Sequence, residues 1–375
     1  MCKHCKKSPQ KIGILTFHFA YNCGAMLQAY ALQKALGEKC SCEIINYAPE
    51  YHTKVYIPKI KSYIRINNKR NPLKAIREIL AGIYSYFKEK NHLRKCNFER
   101  FCKRIPQSRK ITTVEELQKV LPNYDKVIVG SDQIWRRYPE GYRLEYFLDF
   151  PNCNSKKYSY AASAGSCFPQ EDILLIKNYL QDFQRISVRE KVLEDQLRAN
   201  GISCRTDVDP TLLLEKENYL NIEKKVKIKG KYIFVYLCKD ERALEVLKQL
   251  SNFLNATVIF GPSVIFHGKI DFEYRLMEEL GPQEFLYCIH NACFVVTSSF
   301  HCTVFSILHE KPFVVFNKVG TFDRIKNLLE QTKLETHIFR SIEEIDMRSN
   351  YQSARSAILA CAKTSYDYLD QIVND

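Results

Sequence analysis

The feature that most constrains the fold of this chain is the repeated alternation of short apolar runs with segments of helical periodicity. Nine apolar runs predict β-strands, at residues 11–17, 42–47, 126–129, 157–162, 185–188, 232–237, 256–260, 294–297 and 313–316. Helical spacing of apolar residues occurs between them, at residues 25–36, 114–120, 172–183, 190–199, 241–254, 282–291, 303–310 and 321–329. Strands that alternate with helices predict an α/β fold in which right-handed crossovers join parallel strands.

A charged run at residues 215–229 separates the predicted strands into two groups. We therefore expect two Rossmann-like domains that face a cleft, an N-terminal domain over residues 1–220 and a C-terminal domain over residues 221–349. Residues 350–375 predict a long helix that crosses back to the first domain.

The composition indicates a soluble globular protein, because apolar residues make up 46% and charged residues 26% of the 375 residues. No apolar run reaches the roughly 18 residues of a membrane-spanning helix, and no secretory signal is recognisable. We therefore expect a cytoplasmic protein whose 15 cysteines are thiols. Cys2 with Cys5, and Cys40 with Cys42, each have the spacing of half a zinc site, but no second half is evident, so we predict no metal.

The net charge of +14 is concentrated in a helical insert predicted over residues 55–110. Residues 59–110 contain 16 Lys and Arg against three Glu. Such a basic amphipathic stretch can lie on an anionic inner membrane surface, which would make the protein peripheral. Equally, its apolar stripe can pack on the body of the protein and leave a solvated basic face. Nucleic acid is a weaker partner because no nucleic-acid-binding module accompanies the charge.

Candidate functional residues follow the predicted strands, since ligands of open parallel sheets bind at the carboxyl ends of the strands. After residues 294–297, Ser298, Ser299 and His301 precede a helix, whose N-terminus favours an anion. The alternative is a serine that only caps the helix, beside a surface histidine. Arg189 follows another strand and could grip a phosphate or carboxylate, or form a surface ion pair with Glu190.

Two further turns carry polar or aromatic side chains. Asp132 follows residues 126–129 and is a candidate general base. Trp135, the single tryptophan, is either a core residue or a sugar platform, an aromatic surface on which a sugar ring can stack. Asn22 and Gly24 line the turn after the first strand. The glycine motifs of dinucleotide sites and P-loops are absent, as are the common metalloprotease and serine hydrolase motifs.

Eight segments occur in the order in which one enzyme family has them. They are Tyr21–Ala31, Gly130–Trp135, Tyr160–Gly165, Ile186–Glu190, Asp209–Leu214, Gly281–Leu286, Thr297–His301 and Lys311–Phe313. Together they resemble the polysaccharide pyruvyl transferase family over roughly residues 12–330. The resemblance implies a fold similar to the GT-B glycosyltransferases, with phosphoenolpyruvate as donor and with the donor-binding arginine and histidine at Arg189 and His301.

The expected enzyme transfers the pyruvyl group of phosphoenolpyruvate to a sugar of a surface or capsular polysaccharide, or to its lipid-linked precursor. It forms a ketal, releases phosphate and uses no cofactor. We expect His301 as the proton donor and Asp132 as the base. The remaining site residues are Arg189, Ser298, Ser299 and Arg324 for the donor, and Asn22, Gly24 and Trp135 for the acceptor. The rival interpretations are a nucleotide-sugar glycosyltransferase of the same fold and a non-catalytic scaffold of a polysaccharide assembly complex.

Overall fold

The computed structural model describes residues 10–49, 89–151, 154–238, 240–262, 266, 270–317, 322–347 and 350–375. Two five-stranded parallel sheets form its framework. The first has the order β2-β1-β3-β4-β5 and consists of β1 (Lys11–Leu15), β2 (Ser41–Ile44), β3 (Lys126–Val129), β4 (Lys156–Ser159) and β5 (Phe183–Arg185). The second has the order β10-β9-β8-β11-β12 and consists of β8 (Tyr232–Tyr236), β9 (Thr257–Phe260), β10 (Tyr274–Leu276), β11 (Phe294–Thr297) and β12 (Phe313–Val315).

A short parallel pair, β6 (Ser187–Val188) and β7 (Arg205–Thr206), continues the first sheet through a bridge from Val188 to Ala162. All nine predicted strands are present in the two sheets and this pair, although the run at residues 185–188 is divided between β5 and β6. The sequence did not reveal β7 and β10, which have only two and three residues.

Helices cover the sheets and connect their strands. They are α1 (Cys23–Gly37), α2 (Glu89–Cys102), α3 (Val114–Val120), α4 (Ile173–Leu180), α5 (Lys191–Ala199), α6 (Lys216–Leu220), α7 (Arg242–Leu254), α8 (Pro282–His290), α9 (Phe300–Leu308), α10 (Phe322–Thr332) and α11 (Tyr351–Asn374). The eight helices predicted between the strands and the helix predicted over residues 350–375 are found within a few residues of their expected bounds. Among the helix starts, the largest difference is at α9, which begins at Phe300 rather than at residue 303 because Ser299 caps it by accepting a hydrogen bond from the Cys302 amide at 3.4 Å.

The strand order reverses once in each sheet, between β1 and β3 in the first and between β8 and β11 in the second. A crevice opens at such a switch point, outside the carboxyl ends of the strands. The two domains meet across this region, because one apolar core cluster contains both Ile14 of β1 and Val295 of β11. The fold therefore brings the turns after β1, β3, β8 and β11 to a common cleft, as the GT-B likeness predicts.

The last helix, α11, crosses from the second domain to the first. Near its start, the Tyr351 hydroxyl donates to the Lys311 carbonyl in the second domain. Near its end, the buried Lys126 ammonium of β3 donates to the carbonyls of Ile372 and Val373 at 2.8 Å each. A cation at these positions satisfies the terminal carbonyls and complements the helix dipole. The predicted return of this helix is confirmed.

Only the last part of the basic insert belongs to the described residues, and so the amphipathic stretch before residue 89, like Cys2 and Cys5, lies outside them. Helix α2 packs on the body, with Phe98 and Phe101 buried in the shared core and the Asn97 amide donating to the Glu279 carbonyl at 2.9 Å. Within the described ranges, no helix is long and apolar enough to cross a membrane, and no cluster of three metal-ligating side chains occurs. Cys40 and Cys42 are free thiols.

Candidate active site

The centre of the cleft is a direct contact between the two domains, made by His301 and Gly24. His301 is the second residue of α9, so its ring projects from the first turn of the helix. A Cβ atom at Gly24 would lie 2.1 Å from His301 Nδ1 and 2.4 Å from Cγ, far inside van der Waals contact. Only glycine leaves room for the imidazole here. Asn22 makes this approach possible by capping α1, since its Oδ1 accepts from the Gly24 amide at 2.9 Å.

Arg189 and His301, far apart in the chain, converge on one carboxylate oxygen. Arg189 Nη1 donates to Asp209 Oδ2 at 2.8 Å, and His301 Nε2 lies 3.6 Å from the same oxygen. Burial alone would raise the pKa of Asp209, but the adjacent His301 and the Arg189 guanidinium hold it below its ordinary value. Asp209 is therefore a permanent anion that orients both groups. It also accepts from the Thr211 amide through Oδ1, which fixes its own position.

A second guanidinium, that of Arg324, lies beside the first. Both stack on the ring of Phe300, with the guanidinium carbon 5.4 Å from the ring centroid for Arg189 and 5.8 Å for Arg324. Burial, followed by the charge of Arg189, lowers the pKa of Arg324 to about 10. Two cations held this close repel each other. An anion bound between them would relieve that repulsion.

Several buried polar atoms around these groups have no hydrogen-bond partner among the described residues. They are Arg189 Nε and Nη2, Glu190 Oε2, His301 Nε2 and Arg324 Nε. Buried donors and acceptors are almost always satisfied in folded proteins, and each exception has a cost of about 1–3 kcal/mol. Five such atoms in one cluster indicate a site arranged for a polar ligand.

The sequence profile of the polysaccharide pyruvyl transferase family matches residues 22–317, which is most of the chain and includes every residue of this cluster except Arg324. The chain belongs to this family. The transferase is similar in structure to the UDP-GlcNAc 2-epimerase of Methanocaldococcus jannaschii, with a TM-score of 0.50, 12% identity and coverage of 97% and 99% of the two chains. This similarity concerns the fold alone.

A weaker structural similarity is to the glycosyltransferase SnogD of Streptomyces nogalater, with a TM-score of 0.42, 8% identity and coverage of 98% and 99%. Comparison with curated proteins gave no significant match. The family match confirms the predicted family and its transferase class. The two parallel sheets and the similarity to the Methanocaldococcus jannaschii epimerase confirm the predicted GT-B-like α/β fold.

Asp132 of the transferase lies at the edge of the same cluster. Its charge contributes to raising the pKa of Arg189 and opposes the lowering of the pKa of Arg324. It adopts the left-handed backbone conformation, with φ of 69°, and its Oδ1 accepts from the Gln133 amide at 2.8 Å. Ala161 after β4 and Leu237 after β8 also have positive φ. Non-glycine residues in this conformation are frequent at functional sites, and Asp132 and Leu237 follow β3 and β8, two of the strands that flank the switch points.

The two serines before α9 have different surroundings. Ser299 is the N-cap of the helix, which fits the capping alternative, and it leaves the first amides of α9 without intrahelical acceptors. Ser298 is buried and hydrogen-bonds the Cys238 thiol, whose pKa burial raises to about 11. Contact of either serine with a donor stays a prediction, as does the acceptor contact of Asn22, whose amide oxygen is engaged in capping.

Two of the acceptor-side predictions are wrong. Trp135 has no exposed surface, its ring stacks on Phe147 at 5.4 Å, and its N–H donates to the Tyr146 carbonyl at 3.0 Å. It is a core residue and cannot be a sugar platform. Gly24 is buried under the His301 ring, so it positions the imidazole and offers no surface to a sugar. The expected Arg189–Glu190 pair does form, at 3.6 Å, but it is buried rather than on the surface.

Sequence reasoning did not predict that Asp209, Phe300 and Glu190 would lie in this cluster, in contact with Arg189. Asp209 belongs to one of the ordered motifs, Asp209–Leu214, and this was the only available signal. Phe300 and Glu190 stand next to predicted site residues, but an aromatic ring and a carboxylate at such positions have many other uses.

Proposed function

We propose that this transferase moves the pyruvyl unit of phosphoenolpyruvate onto two hydroxyls of one sugar in a surface polysaccharide or its lipid-linked precursor. The observation that carries the proposal is the cluster of two guanidiniums and one imidazole at the meeting point of both switch-point crevices. Phosphoenolpyruvate has a carboxylate and a phosphate that are both attached to C2. The unpartnered N–H groups of Arg189 and Arg324 would bind these anions as charge-assisted hydrogen bonds.

The reaction needs an acid that protonates the donor and a base that removes protons from the sugar hydroxyls. As the first hydroxyl oxygen bonds to C2 of the donor, C3 takes up a proton and becomes a methyl group. Phosphate then leaves with the electrons of its C–O bond, and the second hydroxyl closes the ketal. We assign His301 to protonate C3 or the departing phosphate, and Asp132 to accept a hydroxyl proton. Positioned groups of this kind typically contribute ~10²–10⁴ in rate.

The structure supports a role for α9 in phosphate binding. Its first amides point to the cleft end of the helix, next to His301 and opposite Gly24. A helix N-terminus carries about half a positive charge, which favours an anion. Donor binding by Arg189, Arg324 and this helix end requires no metal ion, because positive charge and oriented N–H groups are already present.

A lipid-linked acceptor would lie at the inner membrane surface. The balance of 16 Lys and Arg against three Glu in residues 59–110 suits an anionic lipid surface. We propose that this segment holds the enzyme there. Co-sedimentation with vesicles that contain phosphatidylglycerol tests it, and equal binding of a variant lacking residues 59–88 would reject it.

The test of the proposed function is incubation of the purified enzyme with phosphoenolpyruvate and a panel of lipid-linked glycans. We expect phosphate release coupled to a glycan mass increase of one pyruvate ketal. Calorimetry with phosphoenolpyruvate and with nucleotide sugars separates the transferase from a glycosyltransferase of the same fold. Binding of a nucleotide sugar without binding of phosphoenolpyruvate would reject the proposal.

A further inference from the structure

The neighbours of Glu190 among the described residues satisfy only one of its two buried carboxylate oxygens. It occupies the N-cap position of α5, but its side chain makes no capping hydrogen bond. Instead the carboxylate is 4% exposed and its Oε1 accepts from the Ser163 hydroxyl. The other oxygen, Oε2, is buried without any hydrogen-bond donor among the described residues. A buried carboxylate oxygen needs a donor, so Oε2 is set up to receive one from a ligand.

Glu190 lines a cavity of about 490 Å³ that opens beside the guanidinium cluster. Arg189 and Asp209 line it together with Glu190, and Phe300 and Leu328 contribute apolar surface. The volume is within the range of roughly 300–1,000 Å³ that small-molecule sites usually have. Because Arg189 and Arg324 border both this cavity and the proposed donor position, a ligand here would lie directly beside the donor.

The lining favours a neutral polyhydroxylated ligand over a second anion. Asn327 and Gln331 lie one turn apart on α10, so both amides face the cavity. Amides and carboxylates bind hydroxyls well, and the apolar surfaces of Phe300 and Leu328 suit the C–H faces of a sugar ring. The charged lining has no excess of positive charge, since three cations stand against four carboxylates: Arg189, Lys191 and Arg324 against Glu190, Asp207, Asp209 and Glu330. The free oxygen of Glu190 would repel an anion, whereas a hydroxyl would donate to it.

We propose that this cavity is the acceptor-sugar subsite, and that Glu190 is the catalytic base for one of the two hydroxyls. The inference rests on the proposed function. Ketal formation removes a proton from each of two hydroxyls. A single base could serve both only if it released the first proton before accepting the second. As one hydroxyl oxygen bonds to C2, its proton passes to Glu190 Oε2 and C3 is protonated. Asp132 serves the other hydroxyl.

The decisive variant is Glu190→Gln, which keeps the shape and the acceptor oxygen for Ser163 but removes the base. We expect phosphoenolpyruvate affinity in calorimetry to stay within about threefold of the wild type. Ketal formation should fall by about 100-fold or more, the usual cost of a lost general base. The matched control is Glu245→Gln, an exposed carboxylate on α7, which should behave as the wild type.

The subsite itself is tested by saturation-transfer NMR with methyl galactoside, methyl glucoside and methyl mannoside. At least one should bind the wild type, and Asn327→Ala and Gln331→Ala should weaken it without changing phosphoenolpyruvate affinity. These exposed or half-exposed positions keep the inference testable if Glu190→Gln does not fold.

Three results would overturn the inference: no glycoside binds the wild type, the α10 variants bind it equally well, or Glu190→Gln loses activity only through donor affinity. The last result would show that Glu190 merely positions Arg189. Failure of the wild type to bind phosphoenolpyruvate would instead reject the proposed function.

Discussion

Replacement of Gly24 by alanine tests whether the His301 ring position matters for catalysis. The new Cβ would lie 2.1 Å from His301 Nδ1, whereas ordinary van der Waals contact begins at 3.4 Å, so the ring must move by more than 1 Å. Misplacement of a catalytic group by about 1 Å can cost about 100-fold in rate. Alanine inside a helix otherwise gains about 0.5–1 kcal/mol over glycine, and Gly24 has no positive φ that would oppose it. We therefore expect turnover to fall by about two orders of magnitude while the helix itself tolerates the change.

The same helix provides the control. Gly37, at the end of α1, also has no positive φ, and a Cβ there would meet only the flexible Gln33 amide, at 3.1 Å. Gly37→Ala should therefore keep wild-type turnover and melt at the same or a higher temperature. Phosphate release measures turnover, and circular dichroism measures melting. If Gly24→Ala transfers pyruvyl at the wild-type rate and remains folded, the imidazole position is not critical and His301 loses its catalytic assignment.

Three further changes have outcomes that can be stated from the structure. Arg324→Met should weaken phosphoenolpyruvate binding at least tenfold in calorimetry while leaving stability equal or higher, since the repelled cation with a pKa of about 10 is removed; unchanged affinity would exclude Arg324 from the donor site. Arg189→Lys should raise the donor KM, because an ammonium cannot make the paired hydrogen bonds of a guanidinium; equal KM values would contradict this. Burial, and then the neighbouring His290, lower the pKa of His309 to about 3, so only the unfolded chain takes up this proton between pH 6.5 and pH 3. The wild type should lose about 2 kcal/mol of unfolding free energy from this group between pH 7 and pH 5, and His309→Phe should remove that loss in urea titrations at both pH values.

The fold could be predicted from the sequence because strand and helix periodicities differ and the chain alternates them regularly. The two errors of detail have physical causes. The run at residues 185–188 was expected to be one strand, but β5 ends at Arg185 and β6 pairs with β7, joined to the first sheet only by the bridge from Val188 to Ala162. The start of α9 was placed too late, because a serine cap followed by Phe300 and His301 gives no periodic apolar signal. That error concealed the fact that His301 projects from the first turn of the helix.

The candidate site could be predicted only in part. Strand ends identified Arg189, His301 and Asp132, because in parallel sheets these positions share one edge. Trp135 was misassigned since the sequence cannot show that its N–H reaches the Tyr146 carbonyl inside the core. The contact of His301 with Gly24 could not be predicted either, because it depends on how the two domains dock, and no local sequence pattern indicates their docking.

Asp209 explains why both halves of the chain are needed to form the site. Arg189 belongs to the first domain and His301 to the second, and one oxygen of Asp209 is shared by both. Removal of this buried carboxylate would deprive Arg189 of its 2.8 Å hydrogen bond and leave it the longer ion pair with Glu190 at 3.6 Å and the stacking on Phe300, so its orientation would be less firmly fixed. Because the His301 ring also packs against Gly24 of the first domain, docking of the two domains places the imidazole beside Asp209 and Arg189. The proposed donor site therefore needs both domains, because its arginine and its histidine come from different ones.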